Sequence, residues 1–313
     1  MGFTGAMAAA MMMDALLGWP DTLFARFGHP VTWLGRLIEL LDKGWNRASF
    51  TPATRRAAGM AAALIVIALT VAIASTIQSL LLSEWSRILV AGILAWPLVA
   101  VRSLHDHVAA VRLALQFGDI GPAREAVAHI VGRDCAGLDE AGVARAAIES
   151  FAENTSDGVV APLFWGALFG LPGIFGYKAI NTLDSMIGHL TPRHEAFGFA
   201  AARIDDLANF IPARLTGLLF VVLARSPSVA LSCMVRDAAR HRSINAGWPE
   251  AAMAGALGVR LSGPRIYQGR VAEEPWLNEG ARDPRGEDIF SGLEIYRRTM
   301  LLLAGTLVIL ALA

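Results

Sequence analysis

One segment of this chain limits the possible fold more than any other. Between Ala57 and Ser83 there is no charged residue, and apolar side chains surround the whole circumference of a helix rather than one stripe. A membrane-spanning helix needs roughly 20 such residues. Hydrophobic residues make up 55% and charged residues only 17% of the 313 positions, and the mean hydropathy is +0.48. We therefore expect an all-α integral membrane protein.

Other apolar segments extend this topology, but most are shorter than the roughly 20 residues that a perpendicular spanning helix needs. Tilting, local thinning of the bilayer or partial insertion would accommodate them. Together with the long segment they predict about four to five transmembrane or re-entrant helices, accompanied by amphipathic cytoplasmic helices. The shorter segments are residues 2–17, 88–101, 158–176, 215–224 and 299–313.

The distribution of charge orients the chain. Residues 18–56 contain six Arg and Lys residues against three Asp and Glu residues, so the positive-inside rule places this segment in the cytoplasm. Counting crossings from there places residues 102–157 in the cytoplasm, and the polar composition of residues 225–298 indicates a second cytoplasmic portion. Both belong to a single membrane-embedded domain spanning residues 1–313. The net charge is zero, which gives no general attraction to nucleic acid, and we expect no nucleic-acid partner.

Polar residues are densest between Glu149 and Arg214, although ionisable side chains at membrane depth are expensive and persist mainly at functional sites. Glu149, Glu153 and Asp157 recur at steps of four, which predicts one helical face. Like charges at that spacing destabilise a helix by a few tenths of a kcal/mol per pair. A Mg²⁺ ion carrying phosphate oxygens and water, with Asn154 adjacent, would compensate. A solvated acidic helix face is the alternative.

A second polar group follows directly after the glycine-rich segment. Lys178, Asn181 and Asp184 recur at steps of three and share a helical face. The chain has two lysines against 25 arginines, and a lysine in this position indicates a need for a compact ammonium group, for phosphate or for a shifted pKa. Chance occurrence is the alternative.

The third group contains Asp205, Asp206, Asn209 and Arg214. Asp205 and Asn209 lie one turn apart, and Arg214 enters an apolar run in which an unpaired guanidinium would be costly. Paired carboxylates with an arginine are typical of phosphate binding through a metal ion and direct hydrogen bonds. Alternatively, Asp206 and Arg214 neutralise one another at the membrane boundary.

Four blocks in order carry a family resemblance: residues 149–158, 177–188, 202–216 and 245–250. Together with Asp14-Ala-Leu-Leu-Gly-Trp-Pro20 and His29-Pro-Val31, they resemble the adenosylcobinamide-phosphate synthase family of cobalamin biosynthesis, known as CbiB or CobD. The resemblance spans nearly the whole chain. Ile244 departs from the proline expected before the last block, which affects loop stiffness more than chemistry.

The resemblance implies a multi-pass inner-membrane ligase. Such an enzyme joins the free propionate of adenosylcobyric acid to the amine of aminopropanol phosphate, or of a related amino-alcohol phosphate, with ATP and Mg²⁺ as cofactors. Its partners would be the corrinoid, the amino-alcohol phosphate, the lipid bilayer and other enzymes of the cobalamin pathway.

Amide formation from a carboxylate proceeds through an activated acyl phosphate, which an uncharged amine then attacks. This chemistry assigns hypothetical roles to twelve polar residues. Mg²⁺ and ATP would be held by Glu153, Asp157, Asp205 and Asp206. Phosphate charge would be neutralised by Lys178 and Arg214. Substrate amides or phosphate would be oriented by Asn154, Asn181, Asn209 and Asn245. The proton of the attacking ammonium would be taken by Glu149 or Asp184.

Strict alternation of crossings would place residues 177–209 outside the cell, away from cytoplasmic ATP. Residues 158–176 contain five glycines and two prolines, and broken helices are tolerated at membrane depth when they are buried in protein or line a cavity. We therefore predict that this segment is re-entrant, or that it packs inside the protein without crossing.

Two other functions share some of these features. Broken helices and charges at membrane depth also occur in transporters, so a transporter of a corrinoid or another polar solute is the main alternative. The absence of a detectable inverted repeat argues against it. A scaffold or sensor without catalysis is a third possibility, and the full acidic and lysine set argues against that.

Overall fold

The computed structural model describes residues 2–132, 135–267 and 270–313. Helices make up most of the chain, as the composition predicts, and four short strands lie between residues 261 and 277. The helices are α1 (Gly2–Leu17), α2 (Asp21–Phe27), α3 (Pro30–Trp45), α4 (Pro52–Leu80), α5 (Glu84–Ala95), α6 (Val101–Gln116), α7 (Ile120–Ala128), α8 (Glu140–Thr155), α9 (Ala161–Phe169), α10 (Leu171–Ile187), α11 (Phe199–Ala208), α12 (Phe210–Leu223), α13 (Pro227–Asp237), α14 (Gly247–Leu257) and α15 (Gly286–Leu312). The strands are β1 (Leu261–Ser262), β2 (Arg265–Tyr267), β3 (Arg270–Ala272) and β4 (Trp276–Leu277).

Local sequence signals set the starts of several helices. Thr51 caps α4, because its hydroxyl accepts a hydrogen bond from the Thr54 N–H at 3.2 Å, and proline occupies the first helical position. Asp139 caps α8 in the same way by accepting from the Gly142 N–H at 2.7 Å. These two capping residues therefore set the starts of α4 and α8.

Three segments of the described chain are long and apolar enough to cross a membrane: Pro52–Leu80, Glu84–Gln116 and Gly286–Leu312. The first is α4 and confirms the helix expected from the charge-free segment. The second covers α5, a short 3₁₀ turn and α6. A fourth span results if α11 and α12, bent by 46°, are counted as one. The structure therefore supports three or four spanning segments, whereas the sequence predicted four to five transmembrane or re-entrant helices.

The chain divides into two compact units. The first unit consists of Met1–Ala100, Ala161–Asn209 and Ala304–Ala313. The second unit consists of Val101–Val160 and Phe210–Leu303. Both portions expected to be cytoplasmic, residues 102–157 and 225–298, fall in the second unit, and their location relative to the membrane stays a prediction.

In the first unit, the core lies where α3, α4, α10 and α11 meet. Ile38, Val66, Leu183 and Phe197 are each almost fully buried there. Gly59 of α4 permits a close approach at this point, because a Cβ atom would lie 1.8 Å from the carbonyl oxygen of Phe197. The core thus fixes α10 and α11, which carry many of the predicted site residues.

The glycine-rich segment forms a helical hairpin within the first unit. Gly170 turns the chain between α9 and α10 with a φ of +70°. A Cβ on Gly173 would lie 2.0 Å from the Trp165 carbonyl oxygen, and Ala161 packs with Tyr177, so the helices fold back on each other. The hairpin folds residues 158–176 back on themselves, and the predicted re-entrant path of this segment through a membrane stays a prediction.

The second unit is built around α8. Phe151 of α8 packs against Tyr296 with ring centroids 4.9 Å apart, and the Tyr296 hydroxyl donates to the Val101 carbonyl oxygen at 2.8 Å. Residues 263–288 contain β2, β3 and β4, with β4 pairing antiparallel to β1 and β2 pairing antiparallel to β3. These strands have only two or three residues, too few to show an alternating pattern in the sequence.

Candidate functional site

The twelve residues predicted for the site divide equally between the two units. The first unit contains Lys178, Asn181, Asp184, Asp205, Asp206 and Asn209, and we call these six the α10–α11 cluster. The second unit contains Glu149, Glu153, Asn154, Asp157, Arg214 and Asn245.

Asn209 links the two helices of the α10–α11 cluster. Its Oδ1 accepts a hydrogen bond from the Tyr177 hydroxyl at 2.9 Å, and its Nδ2 donates to Asp205 Oδ2 at 3.0 Å. Asn209 is only 1% exposed. Because both ends of its amide are engaged inside the protein, Asn209 orients Asp205 in this structure. Its direct contact with a substrate stays a prediction.

Asp184 is a carboxylate of this cluster that lies in a largely buried position. Its burial raises the pKa of the carboxyl above the usual value, and the Asp206 carboxylate raises it further, while His189 and Arg203 oppose the rise. Asp184 also lies against the end of its own helix, where a Cβ on Gly188 would be only 1.9 Å from Asp184 Oδ1. Glycine at position 188 therefore permits this side-chain position.

Asp206 forms an ion pair with Arg203 at 3.0 Å, one helical turn away. The sequence alternative paired Asp206 with Arg214 instead. Arg203 and Asp206 lie three residues apart and therefore share a face of α11. The structure thus pairs Asp206 with Arg203 and corrects the predicted pairing with Arg214.

Lys178 and Asn181 follow the expected helical spacing on α10. Both are half-buried, and the side-chain amide of Asn181 has no hydrogen-bond partner among the described residues, which leaves it able to bind a ligand. Lys178 lies close enough to His29 to lower the pKa of that imidazole, although burial is the larger cause and a hydrogen bond to the Pro97 carbonyl opposes both.

Two further residues of the first unit were not assigned a role by the sequence. His29 caps α3 by accepting from the Val31 N–H at 3.2 Å, as expected for a capping histidine, but it also lies near Lys178. Asp14 is buried in the apolar helix α1. The sequence signal that could have identified Asp14 is a single acidic residue in an otherwise apolar segment. Asp14 also belongs to a block that carries the resemblance.

In the second unit, Glu149 is held by the backbone. It is 5% exposed, and its Oε1 accepts a hydrogen bond from the Ser262 N–H at 2.6 Å. Ser262 has a φ of +59°, an unusual conformation for a residue other than glycine. Glu149 thus anchors the backbone of β1, and of the two predicted bases Asp184 is the better supported.

The acidic residues at the end of α8 do not all lie in regular α-helix. Glu153 is exposed in the last turn, whereas Asp157 is half-buried in a π-helical turn, Ser156–Val160, which interrupts the α-helical spacing. Asn154 is exposed and its Nδ2 donates to the Ser150 carbonyl oxygen at 2.8 Å. The π turn therefore interrupts the regular spacing only at Asp157, and a shared acidic face stays a prediction.

Arg214 is fixed between two aromatic rings. Its guanidinium carbon lies 3.6 Å from the ring centroid of Phe210 and 4.5 Å from that of Trp248. One terminal nitrogen donates to the Phe210 carbonyl oxygen at 2.6 Å and to Asn245 Oδ1 at 3.3 Å. The other terminal nitrogen and Nε have no hydrogen-bond partner in the described ranges. This fixed fork of donors is suited to an anion such as phosphate.

The part of the chain that the structure describes contains no group of three or more His, Cys, Asp or Glu side chains able to hold a metal ion. Mg²⁺ in phosphate-transfer sites commonly takes only one or two carboxylates, with phosphate and water completing its shell. Asp205 and Asp206 are half-buried oxygen donors of that kind. Magnesium binding by these two residues, and by Glu153 and Asp157, stays a prediction.

Comparison with known proteins gives a consistent result. The family model described as "CobD/Cbib protein" matches residues 7–296. A "Cobalamin biosynthesis protein CobD" from Rhodobacter capsulatus is 62% identical over 300 residues, which cover 96% of this chain and 95% of the relative. Proteins with the same name from Brucella suis and Rhizobium meliloti are 46% and 44% identical. These alignments cover 96% and 92% of this chain, and 95% and 90% of the two relatives. No solved structure matches significantly.

Proposed function

Because the chain belongs to the CobD/CbiB family of cobalamin biosynthesis proteins, we propose that it is an ATP-dependent ligase of the inner membrane. It would join adenosylcobyric acid to aminopropanol phosphate and release adenosylcobinamide phosphate. The observation that carries this proposal is the α10–α11 cluster, in which a carboxylate of raised pKa, a lysine and an amide without a partner among the described residues lie on one helix.

The reaction requires two steps. A carboxylate oxygen of the corrinoid first attacks the terminal phosphate of ATP, which forms an acyl phosphate and releases ADP. The amine then attacks the acyl carbon, the amide bond forms and inorganic phosphate leaves. Mg²⁺, when bound with ATP, would reduce the negative charge of the phosphates.

Asp184 would take the proton that the attacking ammonium must lose. A carboxylate whose pKa is raised by burial is a better proton acceptor near neutral pH than an ordinary aspartate. The protein also limits where this carboxylate can move, because the end of α10 encloses it beside Gly188.

Lys178 would stabilise the negative charge that develops on the transferred phosphate, and Asn181 would donate or accept a hydrogen bond with the substrate. In the second unit, Arg214 would bind a phosphate group through the donors that face away from Phe210 and Asn245. Asn209 would keep Asp205 in position for magnesium.

The test is a mass-spectrometric assay of the full chain purified in detergent, supplied with adenosylcobyric acid, aminopropanol phosphate, ATP and Mg²⁺. The chain offers a matched control, because its other lysine, Lys43, is exposed and pairs with Glu39 on the surface. We expect Lys178→Ala to lower kcat/KM at least about 100-fold and Lys43→Ala to leave it unchanged.

Product that forms equally well without ATP would contradict the proposed activation step. Equal rates for the two lysine variants would remove Lys178 from the mechanism. If folded wild-type protein gave no product with any amino-alcohol phosphate but moved corrinoid across vesicle membranes, the transporter would replace the ligase.

A further inference from the structure

A large apolar cavity lies in the first unit, apart from the residues assigned to the reaction. Its volume is about 800 Å³, within the range of about 300–1,000 Å³ that is usual for ligand sites. Helices α2, α3, α4, α5 and α10 contribute its walls, together with the 3₁₀ turn Trp96–Leu98. Neither Lys178 nor Asp184 lines it.

Two of the indole groups that line this cavity determine which polar groups a bound ligand must carry. Trp19 and Trp96 both line it, with ring centroids 5.4 Å apart in an edge-to-face arrangement. The Nε1 atom of each is buried and has no hydrogen-bond partner in the described part of the chain. Trp96 as a whole is only 8% exposed. A buried donor without an acceptor costs about 1–3 kcal/mol, so an acceptor from a bound molecule would stabilise the protein.

Water is a poor candidate for that acceptor. A buried water molecule needs two to four polar partners, and the two indole N–H groups supply only donors. Apart from the indoles of Trp19, Trp33 and Trp96, and from Thr70, whose hydroxyl already donates to the Val66 carbonyl oxygen at 2.7 Å, the lining consists mainly of leucine, isoleucine, proline and phenylalanine side chains. The ligand should therefore combine a long apolar body with hydrogen-bond acceptors close together.

The position of the cavity indicates where such a ligand comes from. Leu69 and Ile73 of α4 and Ile93 of α5 line it and are each about half exposed. Both helices belong to segments able to span a membrane, so the cavity opens on a surface that faces acyl chains in a bilayer. Arg26 and Arg36 are exposed on α2 and α3, two of the helices that line the cavity, and supply positive charge for an anionic headgroup.

We propose that this cavity binds one anionic glycerophospholipid as a fixed component of the protein. An acyl chain occupies the apolar volume, and the ester carbonyl oxygens accept hydrogen bonds from the indole N–H groups of Trp19 and Trp96. Tryptophan is suited to this position because its ring is apolar while its N–H binds the ester region at the membrane interface.

The experiment is native mass spectrometry of the full chain, reconstituted in vesicles of phosphatidylglycerol and phosphatidylcholine and then extracted into mild detergent. We expect wild type to retain one phosphatidylglycerol. Trp96→Phe keeps the ring but removes the donor, and we expect it to lower retention about five-fold. Ile73→Trp fills the cavity and should remove the lipid while leaving Trp96 intact.

Trp85→Phe is the matched control, because Trp85 is exposed on α5 and does not line the cavity. It should retain lipid as wild type does. Equal retention in wild type, Trp96→Phe and Ile73→Trp would overturn the site, as would a wild type that carries detergent alone. Equal retention of the two lipids would refute the preference for an anionic headgroup. None of these results depends on the ligase reaction.

Discussion

Carboxylates in the two units differ in how the protein surrounds them. In the second unit, Asp237 is fully buried, and it accepts hydrogen bonds from Arg236 at 2.6 Å and from the Asn278 N–H at 2.8 Å. Burial alone would raise the pKa of Asp237, but these hydrogen bonds lower it below the usual value. In the α10–α11 cluster of the first unit, burial raises the pKa of Asp184 and the neighbouring Asp206 adds to the rise.

The direction of the pKa shift separates carboxylates that stabilise the fold from a carboxylate that can take part in a reaction. Asp283 of the second unit accepts hydrogen bonds from Arg260 and Arg145, which lower its pKa to about 2. Asp42 of the first unit belongs to the same class, because Arg193 and Asn46 hold it ionised and lower its pKa despite its burial. A carboxylate fixed by arginine cannot readily accept a proton, whereas Asp184 retains that capacity.

The largest expected effect tests the reactive side of this comparison. Asp184→Asn keeps the size of the side chain but removes the proton acceptor, so we expect kcat/KM to fall by about 10²–10⁴. Asp106→Asn, at an exposed ion pair on α6, is the control and should be neutral. An Asp184→Asn enzyme with wild-type turnover would remove Asp184 from proton transfer.

The same carboxylate predicts a pH dependence. Asp184 acts as a base only when ionised, and its pKa is raised, so kcat/KM should fall as the pH decreases, with an inflection above the ordinary Asp value of about 3.9. A profile of kcat/KM against pH for wild type and Asp184→Asn checks this expectation. The acid limb should be absent from the variant.

The next largest effect concerns Asp237, a carboxylate that stabilises the fold. Asp237→Asn leaves the half-exposed Arg236 and Arg240 without their carboxylate, and losing hydrogen bonds to a buried charged group costs about 1.5–3 kcal/mol. Thermal unfolding of the variant should show a much lower Tm, with the ligase reaction of the surviving folded protein retained. A Tm within 1–2 °C of wild type, a shift worth only a few tenths of a kcal/mol on the scale of about 2–4 °C per kcal/mol, would show that this pair contributes little.

Acid should act on the same carboxylates. The pKa values of Asp237 and Asp283 are lower in the folded protein than in the unfolded chain, so their contribution to stability is complete above about pH 4. It is lost as the pH falls toward about 2, where Asp283 becomes protonated. Unfolding measured by circular dichroism between pH 5 and pH 2, on the scale of these carboxyl pKa values, should therefore show progressive destabilisation, which Asp237→Asn reduces.

The smallest effect concerns Arg214, which has no carboxylate partner among the residues that the structure describes. Trp248→Leu removes one of the two rings that hold Arg214, and a cation–π contact contributes about 0.5–2 kcal/mol. We expect KM for aminopropanol phosphate or ATP to rise about 2- to 30-fold with kcat nearly unchanged. Trp85→Leu is the exposed control. A fall in kcat without a change in KM would contradict a role in ground-state phosphate binding.

The sequence predicted the features that depend on local composition. The charge-free segment became α4, and the spacing of Lys178, Asn181 and Asp184 became one stretch of α10. The blocks that carry the resemblance also led to the correct family. Hydrophobic period, caps and short motifs are local properties, so one chain is enough to recognise them.

Features set by distant contacts were not predictable in this way. Glu149 meets the backbone of Ser262, 113 residues later in the chain, and no spacing rule connects the two. Arg214 is held by Trp248, which had no assigned role before the structure placed it there. The π turn that contains Asp157 depends on packing around α8 rather than on a recognisable sequence signal.

Isotope transfer from the corrinoid carboxylate shows whether the chain activates that carboxylate with ATP. Adenosylcobyric acid labelled with ¹⁸O in its free carboxylate is incubated with wild type, ATP, Mg²⁺ and aminopropanol phosphate, and the released inorganic phosphate is analysed by mass spectrometry. If the reaction passes through an acyl phosphate, we expect one ¹⁸O atom in the phosphate for each amide formed. Amide formation with unlabelled phosphate would contradict an acyl phosphate route and, with it, the roles proposed for the α10–α11 cluster.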